Sequence, residues 1–326
     1  MLKSFFLRLV VATLALAPLF VYGDDASPAG TAGGWVKYRG NPVIGAENGI
    51  MFDIYLLHDQ GLYRMWASWR PKRSIVLFES KDGFHFSGPP KVVFGPASTG
   101  WEDDINRPDV VKRPDGYHMW YSAQTATSSA IGYATSTDGV NWTRVGIKPV
   151  LAPTQPWEKV ACICADVMWD KDAKQYRMWY SAGPQAESDA IGYATSPDGI
   201  TWTKSDKNPI FNGDPGIPWE KERGVGAHVE KLGGWYYMFY IGFHDIGHAQ
   251  LGIARSRDGV TNWQRLPQNP IIRLGTRGWD NDSCYKPYAI FDGHRWILWY
   301  GGRNGSVEQV GVATHAGADL GFPASN

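Results

Sequence analysis

Cysteine is scarce: Cys162, Cys164 and Cys284 are the only three in 326 residues. An odd number rules out a fully paired disulfide framework. Cys162 and Cys164, two apart, would share one face of a strand without bridging geometry. No further soft ligands stand at the spacing a structural zinc site needs, so all three read as small buried hydrophobes. An excess of charge of one sign is also lacking. The 32 Lys and Arg balance 32 Asp and Glu, which gives no electrostatic reason to expect nucleic acid or an anionic membrane as partner. Helical periodicity is absent throughout.

The one long apolar run is at the start. Lys3 and Arg8 precede or flank it, residues 10–21 carry no charge, and Val21-Tyr22-Gly23 offers a cleavage site. The run is too short, and too abruptly followed by Asp24-Asp25, for a membrane span. The pattern predicts a signal peptide over residues 1–23, a flexible lead over 24–33 and a single domain over 34–326. The mature protein is expected in the periplasm or outside the cell.

What the chain has in abundance is aromatics, with 16 Trp and 16 Tyr, and they recur in order. Tyr63-Arg64-Met65-Trp66, Tyr117-His118-Met119-Trp120, Tyr176-Arg177-Met178-Trp179, Tyr237-Met238-Phe239-Tyr240 and Trp296-Ile297-Leu298-Trp299 are spaced by 54, 59, 60 and 60 residues. A Ser-x-Asp-Gly turn recurs at Asp82, Asp138, Asp198 and Asp258, and an aromatic follows each. Each unit therefore reads as four short strands separated by Gly, Pro and Asp turns. Such units bury their faces only against one another. The pattern predicts an all-β chain, a five-bladed β-propeller with four-stranded antiparallel blades. The last unit lacks an Asn-Pro-Val strand, and Asn41-Pro42-Val43-Ile44 supplies one at the other end. The N-terminal strand should therefore close the ring and leave no open edge.

In a propeller the first strand of each unit lines the axial channel. Counting back from the aromatic strands aligns Asp53, Asp109, Asp166, His228 and Tyr288 at one depth. Isolated buried Asp is costly, so three carboxylates on one axis point to chemistry. Clustered carboxylates suit cleavage of a glycosidic bond: one stays protonated for the leaving oxygen and another stays ionised to activate water. A nearby His can also supply the proton. Trp101-Glu102, Trp157-Glu158, Trp219-Glu220 and Trp279-Asp280 precede inner strands in four units, and repetition marks them as architectural. Non-repeated polar residues are the better ligand candidates. Arg107, Glu222 and Lys286 lie on segments entering inner strands, and Trp69, Arg70 and Arg303 on loops joining second and third strands.

Through Met-Trp-Tyr-Ser, Ile-Gly-Tyr-Ala-Thr-Ser-x-Asp-Gly-x-x-Trp and Asn-Pro-Ile/Val, residues 35–317 resemble the clan of propeller glycosidases that includes glycoside hydrolase families 43, 62, 32, 68, 117 and 130. In family 43 the first three inner strands supply Asp, Asp and Glu as base, modulator and acid. The resemblance implies that Asp53 and Asp109 match the first two, whereas the third position holds Asp166. Family 117 uses Asp residues with a His acid, and His228 fits that pattern by residue type.

The expectation is an exported glycoside hydrolase acting on a plant or algal oligo- or polysaccharide, with Asp53 as base and Asp166 or His228 as acid; the resemblance implies inversion. Two alternatives stay open. One is a glycoside phosphorylase with Arg107, His228, Lys286 and Arg303 around phosphate; the other is a carbohydrate-binding propeller without turnover. No cofactor motif is present. The axial channel leaves room for a structural divalent cation, for which the sequence has no diagnostic ligand spacing.

Overall fold

The computed structural model describes residues 30–185, 188–276 and 278–324. The proposed signal peptide lies outside the described residues. The chain is all-β and forms five successive antiparallel units. The first comprises Met51–Asp59, Leu62–Trp69, Ser74–Ser80 and Lys91–Phe94, and the second Asp104–Arg113, Gly116–Gln124, Ser129–Ser136 and Thr143–Arg144. The third comprises Ala161–Asp170, Gln175–Gly183, Ala190–Ser196 and Thr203–Lys204, and the fourth Arg223–Leu232, Trp235–Asp245, His248–Ser256 and Gln264–Arg265. The fifth has Ser283–Phe291, Arg295–Asn304 and Val307–Ala316, completed by Trp35–Lys37 from the N-terminus. The first strand of every unit touches the first strand of the units on either side, so the five inner strands form a closed ring.

Hydrophobic burial lies between units. Trp120, Ile131 and Tyr133 of the second pack against Cys162, Val167 and Met178 of the third, and Trp179 and Ile191 of the third against Ala227 and Met238 of the fourth. These sheets are stable only as neighbours. A hydrogen bond fixes four of the interfaces. The indole N–H of Trp66, Trp120, Trp179 and Trp299 donates to the carbonyl of Gly139, Gly199, Gly259 and Gly83, at 3.0, 2.8, 2.7 and 2.8 Å. Each acceptor is the glycine of the next unit's Asp-Gly turn, where φ is +75 to +79°, a conformation that favours Gly. The fourth unit has Phe239 at this position and no such bond to give.

The repeated Trp-Glu pairs are architectural. Glu102 accepts from the Tyr121 hydroxyl at 2.6 Å and pairs with Arg144 at 3.2 Å. Glu158 accepts from Tyr180 at 2.7 Å and pairs with Lys204 at 2.6 Å. Glu220 pairs with Arg265. In the fifth unit Asp280 accepts from Tyr300 at 2.9 Å and pairs with Lys37 at 2.7 Å. Lys37 thus occupies the place that an outer-strand Lys or Arg fills in three other units, which explains how an N-terminal strand completes a C-terminal sheet. The small residue in each Ile-Gly-Tyr stretch makes room for these rings. A Cβ on Gly132 or Gly192 would stand 2.3 or 2.6 Å from the tyrosine ring beneath it.

Closure is as expected: residues 41–44 lie along the last strand of the fifth unit. Asn41 accepts from Val312 N–H and donates to the Val312 carbonyl, both at 2.8 Å, as Asn208 and Asn269 do with Tyr193 and Ile253. Val43 donates to Val310 at 2.8 Å, and Ile44 bridges the same residue. Trp35–Lys37 extends this edge with regular strand pairing. One expectation needs correction: the flexible lead is shorter than expected, because Thr31 bridges Ile272 and Ala32 donates to Ile271.

Replacing Lys37 with Ala leaves Asp280 buried without its cation and should cost about 3 kcal/mol of unfolding free energy; urea denaturation measures it. A loss below about 0.5 kcal/mol, the usual scale of a surface change, would show that the ion pair does not hold the ring closed.

The Asp-Gly turns predict acid sensitivity. The carboxylates of Asp138 and Asp198 each accept two backbone N–H groups, from Asn141 and Val140 and from Thr201 and Ile200, which hold them below the ordinary range. A folded-state value below the unfolded one of about 3.9 means that their contribution is complete above that pH and is lost as pH falls toward the folded value. The Asp138→Ala, Asp198→Ala double variant should lose less stability between pH 5 and pH 2 than the natural protein. Parallel losses would show that these turns are not the acid-sensitive element.

Candidate functional site

The site begins with a bulge. Every inner strand is interrupted at the same place, between Phe52 and Ile54, Asn106 and Asp109, Ile163 and Asp166, Val225 and His228, and Tyr285 and Tyr288. The bulged residues are Asp53, Arg107, Cys164, Gly226 and Lys286, with φ of 46, 54, 52, 62 and 43°. A bulge bends the strand and re-aims the side chain. Serines on the preceding units hold three of them: Arg107, Cys164 and Gly226 donate their N–H to the hydroxyls of Ser68, Ser122 and Ser181 at 2.7, 3.0 and 2.9 Å.

This register corrects the alignment drawn from sequence. The residues at one depth are Tyr55, Asp109, Asp166, His228 and Tyr288, opposite Trp66, Trp120, Trp179, Phe239 and Trp299. Asp53 is two residues nearer the start of its strand. The cause is hairpin length: Asp59 and Leu62 of the first unit are joined by Gln60-Gly61, whereas Asp170 and Gln175 of the third are joined by four residues. A hairpin two residues longer shifts the count by two.

The ring therefore presents two different surfaces. On the bulge side is a pocket of about 130 Å³, lined among others by Asp53, Arg70, Arg107, Cys164, Ser188 and Glu308; Arg303, Ser181, Gly226 and Tyr285 also face it. Asp53 forms an ion pair with Arg107 at 2.9 Å. Glu308 receives Arg70 at 3.1 and 3.3 Å, and the Arg70 guanidinium lies 4.1 Å above the Phe52 ring. Burial and the nearby Glu308 and Asp53 push the Tyr285 phenol well above its usual value. The Ser188 hydroxyl, 2% exposed, and the Arg303 Nε are buried with no protein partner. Buried polar atoms without a protein partner call for one from outside the protein, water or a polar ligand.

Past the bulge the channel is tightly packed. Asp166 lies 2.8 Å from His228 Nδ1 and accepts from Val229 N–H at 2.9 Å. The other His228 nitrogen donates to the Ala289 carbonyl at 2.7 Å. Burial lowers the His228 pKa, but Asp166 outweighs it and the net shift is upward. Asp109 accepts from Val167 N–H at 3.1 Å and leaves its second oxygen unpartnered. Burial and the Asp166 charge raise its pKa well above the carboxylate range, against the pull of Lys286. The ring of Tyr288 lies 4.1 Å from His228 and 4.6 Å from Tyr55. Asp166, His228 and Tyr288 face a separate cavity of about 290 Å³ at the far end, with Trp169 and Glu230. Burial pushes the Glu230 carboxyl up to about 7.

The sequence-derived candidates are thus divided. Asp53, Arg70, Arg107 and Arg303 meet in the pocket. Asp109, Asp166, His228, Tyr288 and the buried Lys286 belong to the channel, so the expectation that the three Asp and His228 share one mouth is not met. Trp69 donates its indole N–H to Asn48 at 2.9 Å beside the pocket, and exposed Glu222 lies 3.6 Å from Arg223. Glu308 and Ser188 were missed. Glu308 occupies the position of Ser129 and Asp189 in other units, and that lack of repetition was the available signal. Among the described residues no group of three or more His, Cys, Asp or Glu is placed to hold a metal ion.

A model of glycosyl hydrolases family 43 matches residues 40–315. The chain belongs to that family. It is a glycosidase by membership. It is 26% identical over 309 residues to the uncharacterized protein Rv1502 of Mycobacterium tuberculosis (strain ATCC 25618 / H37Rv), covering 87% of this chain and 95% of that one. It is 32% identical over 138 residues to a β-1,2-mannobiose phosphorylase of Thermoanaerobacter sp. (strain X514), covering 37% of this chain and 44% of that enzyme. A solved structure described as a glycoside hydrolase superposes with a TM-score of 0.70 at 20% identity, covering 92% of this chain and 95% of that one, which establishes the shared fold.

Because the folded state raises the Asp109 pKa, the natural protein loses stability as pH rises from about 3.9 toward the folded value. Asp109→Asn removes that dependence. Its unfolding free energy relative to the natural protein should therefore increase between pH 4 and pH 7. A constant difference across that range would show that Asp109 is ionised in the fold.

Proposed function

We propose that this family 43 protein is an exported hydrolase that releases a sugar from a plant or algal oligo- or polysaccharide, with inversion at the anomeric carbon. The observation that carries the reading is the Asp53 carboxylate, held by Arg107 in a pocket where the Ser188 hydroxyl and the Arg303 Nε lack protein partners. An ion-paired carboxylate is suited to accept a proton from water, so Asp53 is the base, the role that the family resemblance also implies. The compact pocket suits a terminal sugar, and its unpartnered donors suit sugar hydroxyls. Export is supported by the charged and then apolar start of the chain.

The second carboxyl in the pocket is Glu308. Arg70, its partner, is half-exposed and is the group an entering sugar can displace, which would free Glu308 to carry the proton for the leaving oxygen. Asp166 and His228 are assigned to holding the channel instead, since both carboxylate oxygens of the one and both ring nitrogens of the other are engaged by protein. A second reading, phosphorolysis, is favoured by the three arginines of the pocket and by the partial likeness to a phosphorylase. Product analysis with and without phosphate distinguishes the two.

Incubation with arabinosides, xylosides, fructans, galactans, agar-type oligosaccharides and uronides identifies the substrate. On it, Asp53→Asn should lower kcat by about a thousandfold, within the range for loss of a general base. Glu308→Gln should lose natural substrates while largely sparing activated aryl glycosides, which need no proton. Proton NMR of the first-formed sugar should show the inverted anomer. Retention, or glycosyl transfer to methanol, would make Asp53 a nucleophile and overturn the inverting mechanism.

A further inference from the structure

The charges of the pocket do not cancel. Asp53 is matched by Arg107 and Glu308 by Arg70. The third guanidinium, Arg303, has no carboxylate within ion-pair distance among the described residues. It donates to the Gly247 carbonyl at 2.7 Å and the Ser283 hydroxyl at 3.1 Å, and its Nε is buried with no partner. Glu308 is its cross-strand neighbour in the sheet yet turns to Arg70. A partly buried cation facing a cavity without a counter-charge is costly unless a ligand supplies one. The unpartnered Ser188 hydroxyl lines the same cavity.

We infer that the sugar taken by this pocket carries a carboxylate, so that the substrate is a uronic-acid glycoside, and that Arg303 is the residue that selects it. The inference deepens the glycosidase reading and rests on that pocket being the sugar site. Among the described residues the excess is one positive charge, which one carboxylate neutralises. Inorganic phosphate near neutral pH carries more charge than a single guanidinium can match. Arg303 selects by charge and by its planar fork, which matches a carboxylate, and Ser188 adds a hydroxyl beside it.

The test is binding, which does not depend on turnover. Calorimetry on the mature protein compares glucuronic and galacturonic acid, as free sugars and methyl glycosides of both anomers, with glucose and galactose counterparts. At least one acidic sugar should bind about tenfold or more tightly than its neutral parent, the scale of one charge-assisted contact. Arg303→Met should abolish that preference, and Arg303→Lys should restore part of it. Thermal unfolding of both variants shows that the comparison is between folded proteins. Equal binding of acidic and neutral sugars, no binding of any acidic sugar, or a preference that survives in Arg303→Met overturns the inference and leaves the glycosidase reading standing. Turnover of a neutral glycoside that requires phosphate and is lost in Arg303→Met assigns Arg303 to phosphate and overturns it too. Tight binding of a uronide with no cleavage of any uronide or neutral glycoside supports the selectivity while removing hydrolysis from the proposed function.

Discussion

The left-handed residue in the middle of each inner strand is the constraint on which the site depends. An L-residue in that conformation costs roughly 1–2 kcal/mol, and four of the five positions carry a side chain there. Such strain persists where the surroundings over-determine it. Here three serine hydroxyls on neighbouring units capture the bulge N–H groups, and the flanking strands remain paired on both sides. The bulge also partitions the strand. Side chains at it, Lys286 excepted, reach one mouth of the ring, and side chains after it meet in the channel. Two adjacent environments with opposite demands follow: a pocket of ion pairs, and a packed axis where Asp109 is driven toward its neutral form.

The repeating architecture was readable from the sequence because each unit solves the same problem with the same residues. Trp in the second strand, Asp-Gly in the turn and Trp-Glu before the inner strand recur at nearly constant intervals, and each has one recurring partner in space. Closure was readable for the same reason, as a strand missing at one end and present at the other. The Asn41–Ile44 motif marked its place, and Trp35–Lys37, which bears the ion pair, extends the same edge.

The site was less legible. Asp53 stood out as a residue, but its depth depended on the first hairpin being two residues shorter than the third. Arg107 and Lys286 were chosen for lying on the same segments, and only the bulge reveals that they are its counterparts. Glu308 and Ser188 matter through tertiary placement alone. Glu308 sits on the last sheet and reaches a pocket that Asp53 lines from the first. Partners so far apart in sequence leave no spacing to read.

The three-residue strand that completes the fifth sheet has a consequence for how long the site survives. Arg303 and Glu308 lie further along the two strands that it helps to hold, while Asp53 lies in the first unit on the other side of the same join. Detachment of Trp35–Lys37 would bare the edge of the very sheet that contributes one wall of the pocket. Release of that strand would thus undo the pocket wall together with the sheet, which ties the endurance of the pocket to a segment of three residues.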